Sequence, residues 1–534
     1  MSIDLRSDAG VATMVGMGFG DGVRVSGAGS MEGQLNAIAA DLNNDGLSDL
    51  IIGFPFNGGP DGSRTNAGAV FVLFSRPNQP GSGVRDLAGV KPDVILYGAD
   101  AGDLFGFSLA AGDVNGDGRP DLIIGAPQAD GPDNSRTNVG EVYVFFGGSS
   151  LAGAPVRDLR SSSADVTIYG WGGLPNAKSP DQAGSAVAAG DVNGDGLADI
   201  VVGAPGVSGP DGKRDQAGAV YVFFGTPGLL SGTVKDVGSS PASGPQAVDI
   251  LVYGQATPIS FFGLLTTRVG EALGTAVAVG DMNGDRIGDI VIGAPNFSTT
   301  SEVSRGQVYV VFGKTNPDKI RDTRSQNRVG PQPDVIIQGK TVFSFLGNPL
   351  TVGDVNGDRF DDIIIGSTIG NGPTQDRFGA GEVYVIFGSD KLRGTRDLGK
   401  KGQEQDITIF GADAGDSLGF RVAAGDFNGD GIADILVSAP AADGPNNERD
   451  GAGEVYVIIG GRSLTTGLVL DFAQQLPPIV IYGSNKGDQI GFALALGNFN
   501  GDGKPDLVVT SPFGDGPPDV RRPKAGVTYI IAGR

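Results

Sequence analysis

Oxygen-bearing side chains recur at fixed intervals in a nine-residue string that appears seven times along this 534-residue chain. The copies are DLNNDGLSD from Asp41, DVNGDGRPD from Asp113, DVNGDGLAD from Asp191, DMNGDRIGD from Asp281, DVNGDRFDD from Asp354, DFNGDGIAD from Asp426 and NFNGDGKPD from Asn498. Positions 1, 3, 5 and 9 carry carboxylates or amides and position 7 offers a backbone carbonyl, the all-oxygen set that a hard cation such as Ca2+ takes. The expected ligands in the first three loops are Asp41, Asn43, Asp45, Leu47 and Asp49; Asp113, Asn115, Asp117, Arg119 and Asp121; and Asp191, Asn193, Asp195, Leu197 and Asp199. The remaining loops would use Asp281, Asn283, Asp285, Ile287 and Asp289; Asp354, Asn356, Asp358, Phe360 and Asp362; Asp426, Asn428, Asp430, Ile432 and Asp434; and Asn498, Asn500, Asp502, Lys504 and Asp506. The bland alternative is an acidic turn built on the turn preferences of Asn, Asp and Gly. Oxygen at four fixed positions, seven times over, favours up to seven Ca2+ sites.

The sites are not equivalent. Position 6 is glycine in five loops but Arg286 and Arg359 in the other two, and loop seven starts with Asn498 in place of Asp. A positive φ at position 6 would strain the arginines. Loops four, five and seven are therefore expected to bind most weakly.

The remaining composition excludes chemistry more than it suggests it. There is no histidine and no cysteine, which removes the commonest general base, the Ser-His dyad, disulfides and thiolate metal sites. The formal charge is -22, from 61 acidic against 39 basic residues, which argues against nucleic acid or an anionic membrane surface as the main partner. The ligand positions alone hold 20 of those 61 acids, so much of the acidity is local. No apolar run approaches the ~20 residues of a spanning helix, so direct membrane insertion is not expected. The start, MSIDLRSDAG, lacks the pattern of a secretory signal.

The elements that must carry the loops follow from their spacing. Loop starts at residues 41, 113, 191, 281, 354, 426 and 498 define a period near 72 residues, far longer than a loop repeat. Each unit holds four strand-like runs, in the second unit Phe107 to Ala111, Asp121 to Gly125, Glu141 to Phe146 and Asp165 to Tyr169. Gly and Pro punctuate the junctions and helical periodicity is absent, so the class is all-β. Seven four-stranded antiparallel units in one chain are best satisfied by a seven-bladed β-propeller forming one domain over residues 1–534. Small first strands such as SLAAG and AVAVG would line a central channel. The chain ends on a third strand, GVTYIIAGR, so Val11 to Gly16 is expected to add the missing outer strand of the last blade and close the ring.

A second repeated feature lies between strands two and three of each unit. In six units Gly-Pro is followed by an arginine four residues after the proline: Arg64, Arg136, Arg214, Arg377, Arg449 and Arg521, with Arg305 in the unit that lacks Gly-Pro. These loops should emerge on the face opposite the acidic strings. The guanidinium groups would either bind an acidic partner or anionic glycan, or tie each loop to neighbours such as Asp100, Asp103, Asp413 or Asp416. Trp171 and the long connection from Gln255 to Glu271, with Phe261-Phe262 and Leu264-Leu265, are further contact candidates.

Phe105-Gly106 together with Gly125-Ala126-Pro127, and the cassette FG…GDVNGDG…DLIIGAP…GEVYVFFG, resemble the FG-GAP repeat of the integrin α-subunit propeller and its bacterial relatives over essentially the whole chain. Gly366-Ser367-Thr368 and Thr510-Ser511-Pro512 depart from the pattern. The resemblance implies a non-enzymatic adhesion or interaction platform with calcium in its inner hairpin loops, at the cell surface or outside the cell, and a protein or glycan partner. A propeller lectin is the alternative; a calcium-assisted polysaccharide lyase using Arg or Lys as base is a third reading.

Overall fold

Seven sheets, each with an antiparallel core of four strands, stand around a closed ring. The computed structural model describes residues 2–5, 11–15, 36–76, 83–86, 91–172, 179–238, 247–261, 265–299, 302–324, 329–341, 344–515 and 526–533. The second blade is representative. Its first strand, Ser108–Gly112, pairs with Asp121–Ala126, which pairs with Glu141–Phe145, which pairs with Val166–Tyr169. Each first strand packs against the first strands of its two neighbours, and that of the seventh blade, Leu494–Gly497, packs on that of the first, Asn36–Ala40. The architecture is an all-β, seven-bladed propeller.

Residue type follows radial position. Second strands such as Asp121–Ala126 (DLIIGA) and third strands such as Glu141–Phe145 are buried along their whole length, because a blade packs on both neighbours. This is why they read as unbroken apolar runs rather than alternating ones. Seven hydrophobic clusters result, one at each blade junction. The junctions are close enough that a Cβ on Gly125 would stand 2.2 Å from the carbonyl oxygen of Gly184 in the next blade. Within its own blade the Gly125 carbonyl accepts the N–H of Gly106 at 3.1 Å, so the two glycines of the cassette are structural partners. Where Thr510 replaces the glycine, its carbonyl still accepts the Gly491 N–H at 2.9 Å and its Oγ1 accepts the Ala493 N–H at 2.8 Å.

The expectation of four strands per blade needs correction, since the sheet of every blade has five. The fifth is a short segment donated by the following unit, lying parallel to the fourth strand. Thr233–Asp236 precedes the fourth strand of blade three yet pairs with Val166–Tyr169 of blade two. Val156–Asp158, Ile320–Asp322, Gly394–Asp397 and Leu468–Asp471 do the same for blades one, three, four and five. The N-terminus closes the ring twice. Ser2–Asp4 is the fifth strand of blade six, against Ile479–Tyr482, and Val11–Val15 pairs with Val527–Ile531 as the fourth strand of blade seven. Gly83–Asp86 then covers Val11–Val15, so that strand is not outermost.

Candidate functional site

The acidic strings form the turns between first and second strands, all at one end of the ring. Their shape comes from side chain to backbone bonds. The position-1 carboxylate accepts the position-6 N–H at 2.7–2.8 Å in loops one to six. The position-3 amide oxygen accepts the position-5 N–H, as for Asn115 and Asp117 at 2.8 Å, and the position-5 carboxylate accepts the position-7 N–H, as for Asp117 and Arg119 at 3.0 Å. Position 6 has φ between 68° and 88° in every loop, including Arg286 at 68° and Arg359 at 76°. In loop seven the Asn498 amide oxygen accepts the Gly501 N–H at 2.8 Å; its nitrogen cannot take the second bond that a carboxylate takes.

Position 9 has a role that the spacing did not disclose. Both oxygens of Asp121 are engaged by backbone, Oδ2 with Val114 N–H at 3.0 Å and Oδ1 with Gly147 N–H at 3.0 Å. The same pair of bonds holds Asp49, Asp199, Asp289, Asp362, Asp434 and Asp506, each joining its turn to the end of the third strand. Burial pushes Asp49, Asp121 and Asp199 up to about 7 and Asp289 and Asp362 up to about 8, with the carboxylates at positions 5 and 1 adding repulsion. Asp434 and Asp506 move the same way.

Side chains at positions 3, 5 and 9 converge. Asn193 Nδ2 reaches Asp195 at 3.0 Å and Asp199 at 3.4 Å, and Asn500 Nδ2 reaches Asp502 at 3.0 Å and Asp506 at 3.1 Å. Among the described residues no group of three or more acidic side chains is assembled as a metal cage. A cation in these loops would therefore need amide and backbone oxygens as well as carboxylates. The donor chemistry, oxygen throughout and focused beside two carboxylates, fits a hard divalent ion.

The loops also join blades. The position-8 N–H donates to the position-1 carbonyl of the preceding loop: Ala198 to Asp113 at 2.9 Å, Gly288 to Asp191 at 2.7 Å, Asp361 to Asp281 at 2.9 Å, Ala433 to Asp354 at 3.0 Å and Ser48 to Asn498 at 2.9 Å. Loops two and seven have Pro120 and Pro505 there and cannot donate.

On the opposite face the arginines are blade-to-blade latches. Arg64 forks onto Asp158, both N···O distances being 2.7 Å, and Arg214 forks onto Asp322 at 3.1 Å. Arg136 pairs with Asp236 at 2.7 Å, Arg377 with Asp471 at 2.7 Å, Arg305 with Asp397, and Arg449 with Asp4. Each carboxylate ends the fifth strand donated by the next unit. Each guanidinium also bonds the carbonyl of the glycine after its own fourth strand, such as Gly98 for Arg64 at 2.7 Å and Gly254 for Arg214 at 2.9 Å. The expected partners in the GADAGD loops are thus replaced: Asp100 and Asp413 accept from Asn134 and Asn447, each at 3.2 Å. Arg521 lies outside the described residues.

Trp171 is fully buried in the core between blades two and three, which removes it as an exposed contact. The long connection forms a hairpin of Ala256–Phe261 and Leu265–Gly270; residues 262–264, with Phe262 and Leu264, lie outside the described residues. An acid ten residues before the loop recurs in most units, and its burial was not expected: Asp103, Asp181, Glu271 and Asp416 are buried carboxyls pushed up to about 7 by desolvation. Their regular spacing from the acidic strings was the available signal.

Comparison with known proteins agrees with this geometry. The family model described as FG-GAP repeat matches residues 36–73, 105–145, 183–223, 273–311, 347–386, 418–458 and 490–531, together more than half of the chain. Phosphatidylinositol-glycan-specific phospholipase D of Bos taurus is 28% identical over 444 residues, covering 80% of this chain and 46% of that protein. Integrin alpha-PS2 of Drosophila melanogaster is 30% identical over 48% of this chain and 15% of its own length. Integrin alpha-5 of Xenopus laevis is 33% identical over 49% of this chain and 19% of its own length. The chain thus spans less than half the length of each of these relatives.

Proposed function

Because the chain belongs to the FG-GAP repeat family, we propose that it is a calcium-stabilised, non-enzymatic propeller that serves as an adhesion or protein-interaction platform outside the cell or at its surface. The observation that carries the calcium reading is the sevenfold convergence of oxygen donors in turns that also bridge neighbouring blades. Asp and Asn at positions 1, 3, 5 and 9, with the position-7 carbonyl, would hold the ion; when bound, it neutralises clustered carboxylates and fixes the turn. An ion held only by the folded ring stabilises it by mass action. Loops four, five and seven are the weaker sites, two through a strained arginine and one through a missing charge.

The interaction reading is supported by the similarity to integrin alpha chains. The non-enzymatic reading is supported by the latch arginines, which a lyase would need free as bases and which are instead ion-paired between blades. The phospholipase similarity covers less than half of that enzyme and does not carry its activity to this chain. Among the described residues, no helix is long and apolar enough to cross a membrane.

The test is thermal denaturation with and without chelator. EDTA is expected to lower Tm, and added Ca2+ to restore it; a melt indifferent to both would overturn the calcium reading. Capture of a protein partner from the native source in the presence of Ca2+ tests the platform reading.

A further inference from the structure

The first strands surround a central cavity of about 550 Å³, within the roughly 300–1,000 Å³ range of small-molecule sites. One of the seven equivalent positions in its lining carries a charge. Five residues before each acidic string the chain has Asn36, Ser108, Ala186, Ala276, Pro349 and Ala493, but in the sixth blade it has Arg421. Ser108 uses this position to donate to the Gly184 carbonyl of the next blade at 2.7 Å, and Asn36 donates to the Phe107 carbonyl at 2.8 Å. Arg421 has no such structural task. Its Nη1 bonds the carbonyl of the adjacent Phe420 at 3.2 Å, and its guanidinium lies 5.0 Å from the Phe420 ring, which packs on Phe492 at 4.9 Å.

A guanidinium inside a cavity should have a counter-charge. The described latch arginines of this face have theirs in aspartates, whereas no described carboxylate lines the cavity or pairs with Arg421. Desolvation, with no opposing acid, pulls its pKa down to about 10, so the charge persists at neutral pH. The cavity wall also carries amides and hydroxyls, among them Asn36, Gln128, Gln182, Asn348 and Ser185, groups that both donate and accept hydrogen bonds. One fixed cation beside a ring of amides and hydroxyls is complementary to an acid that also carries hydroxyl groups.

We infer that the central cavity is a binding site for a single carboxylated sugar residue or a comparable polyhydroxylated acid, with Arg421 as its counter-ion. The acid's carboxylate takes the guanidinium fork and its hydroxyls take the surrounding amides and hydroxyls. This assignment is independent of the calcium loops, which lie at the other end of the ring, and it is unlike a propeller lectin with a site between every pair of blades.

Isothermal titration calorimetry of the full chain, in the presence of Ca2+, tests it with three probes: glucuronate, glucose and inorganic sulfate. Glucuronate should bind, glucose should bind far more weakly, and Arg421→Ser, the residue found at 108, should weaken glucuronate by about tenfold or more. Arg421→Gln, which keeps a polar, hydrogen-bonding side chain but removes the charge, should do the same if the serine variant folds poorly. Absence of glucuronate binding, or equal affinity in wild type and both variants, would overturn the site. Sulfate binding as tightly as glucuronate would reduce it to a bare anion site and overturn the sugar assignment. Loss of calcium stabilisation with intact glucuronate binding would sink the calcium reading and leave this one standing.

Discussion

Position 6 of the acidic turns shows how a single residue type records a backbone demand. Five glycines and two arginines share φ values of 68–88°, and a Cβ at Gly46, Gly118, Gly196, Gly431 or Gly503 would meet nothing within 4 Å. The cost of Arg286 and Arg359 is therefore conformational rather than steric crowding. The backbone pays it because the N–H of each arginine still bonds the position-1 carboxylate at 2.8 Å, as the glycines do. Arg286→Gly and Arg359→Gly should each stabilise the metal-free protein by about 1 kcal/mol, read as a rise in the urea midpoint. A midpoint that stays put in both variants would show that the turn relaxes around arginine. The strain was legible in the sequence because it is local, a glycine position filled by another residue. The bonds that saturate position 9 were not, since the second donor sits 26 residues further on for Asp121, at Gly147, and no local pattern names it.

The fifth strand of each blade is an element whose chain position and spatial position disagree. RDL at Arg157-Asp158-Leu159 looks like a lead-in to its own fourth strand, and the string recurs as Arg396-Asp397-Leu398 and, with isoleucine in place of arginine, as Ile3-Asp4-Leu5. The structure places these segments on the preceding blade instead, because the arginine that receives the aspartate belongs there. Antiparallel strands one to four were readable from period and turn residues. A parallel partner from the next repeat was not, since its only mark was a one-to-one match between arginines and aspartates some 90 residues apart, as for Arg64 and Asp158 with a separation of 94. The latch at blade three is the most buried, with exposures of 3% for Arg214 and 0% for Asp322. Arg214→Met leaves Asp322 to Arg324 alone, whose guanidinium lies 3.0 Å away, and should cost up to about 3 kcal/mol in unfolding free energy. Arg214→Met combined with Asp322→Leu should recover most of the loss. A double variant no better than the single one would show that the pair is not an energetic unit.

Closure and titration belong to the whole ring. Removing residues 1–15 takes away the fifth strand of blade six, the fourth strand of blade seven and the Asp4 partner of Arg449 together, so Tm should fall sharply; an unchanged Tm would mean that closure resides elsewhere. Part of the pH response should come from the buried acids on the face away from the acidic loops, which no bound cation would mask. Asp103, Asp181, Glu271 and Asp416 titrate near 7 in the fold against about 4 in the unfolded chain. A raised carboxyl pKa means that the native state binds the proton more tightly. The stability contributed by these groups is full below about pH 4 and is lost as pH rises through about 7. Asp181 isolates the effect: it is 0% exposed, its Oδ2 accepts the Gly172 N–H at 2.7 Å, its Oδ1 has no hydrogen-bond partner, and Arg136 offsets its desolvation only in part. Asp181→Asn removes the ionisation, so it should match wild type at pH 4 and exceed it at pH 8 by on the order of 2–4 kcal/mol in chemical denaturation. A variant that gains nothing at pH 8 would show that the ring keeps this carboxylate ionised and solvated.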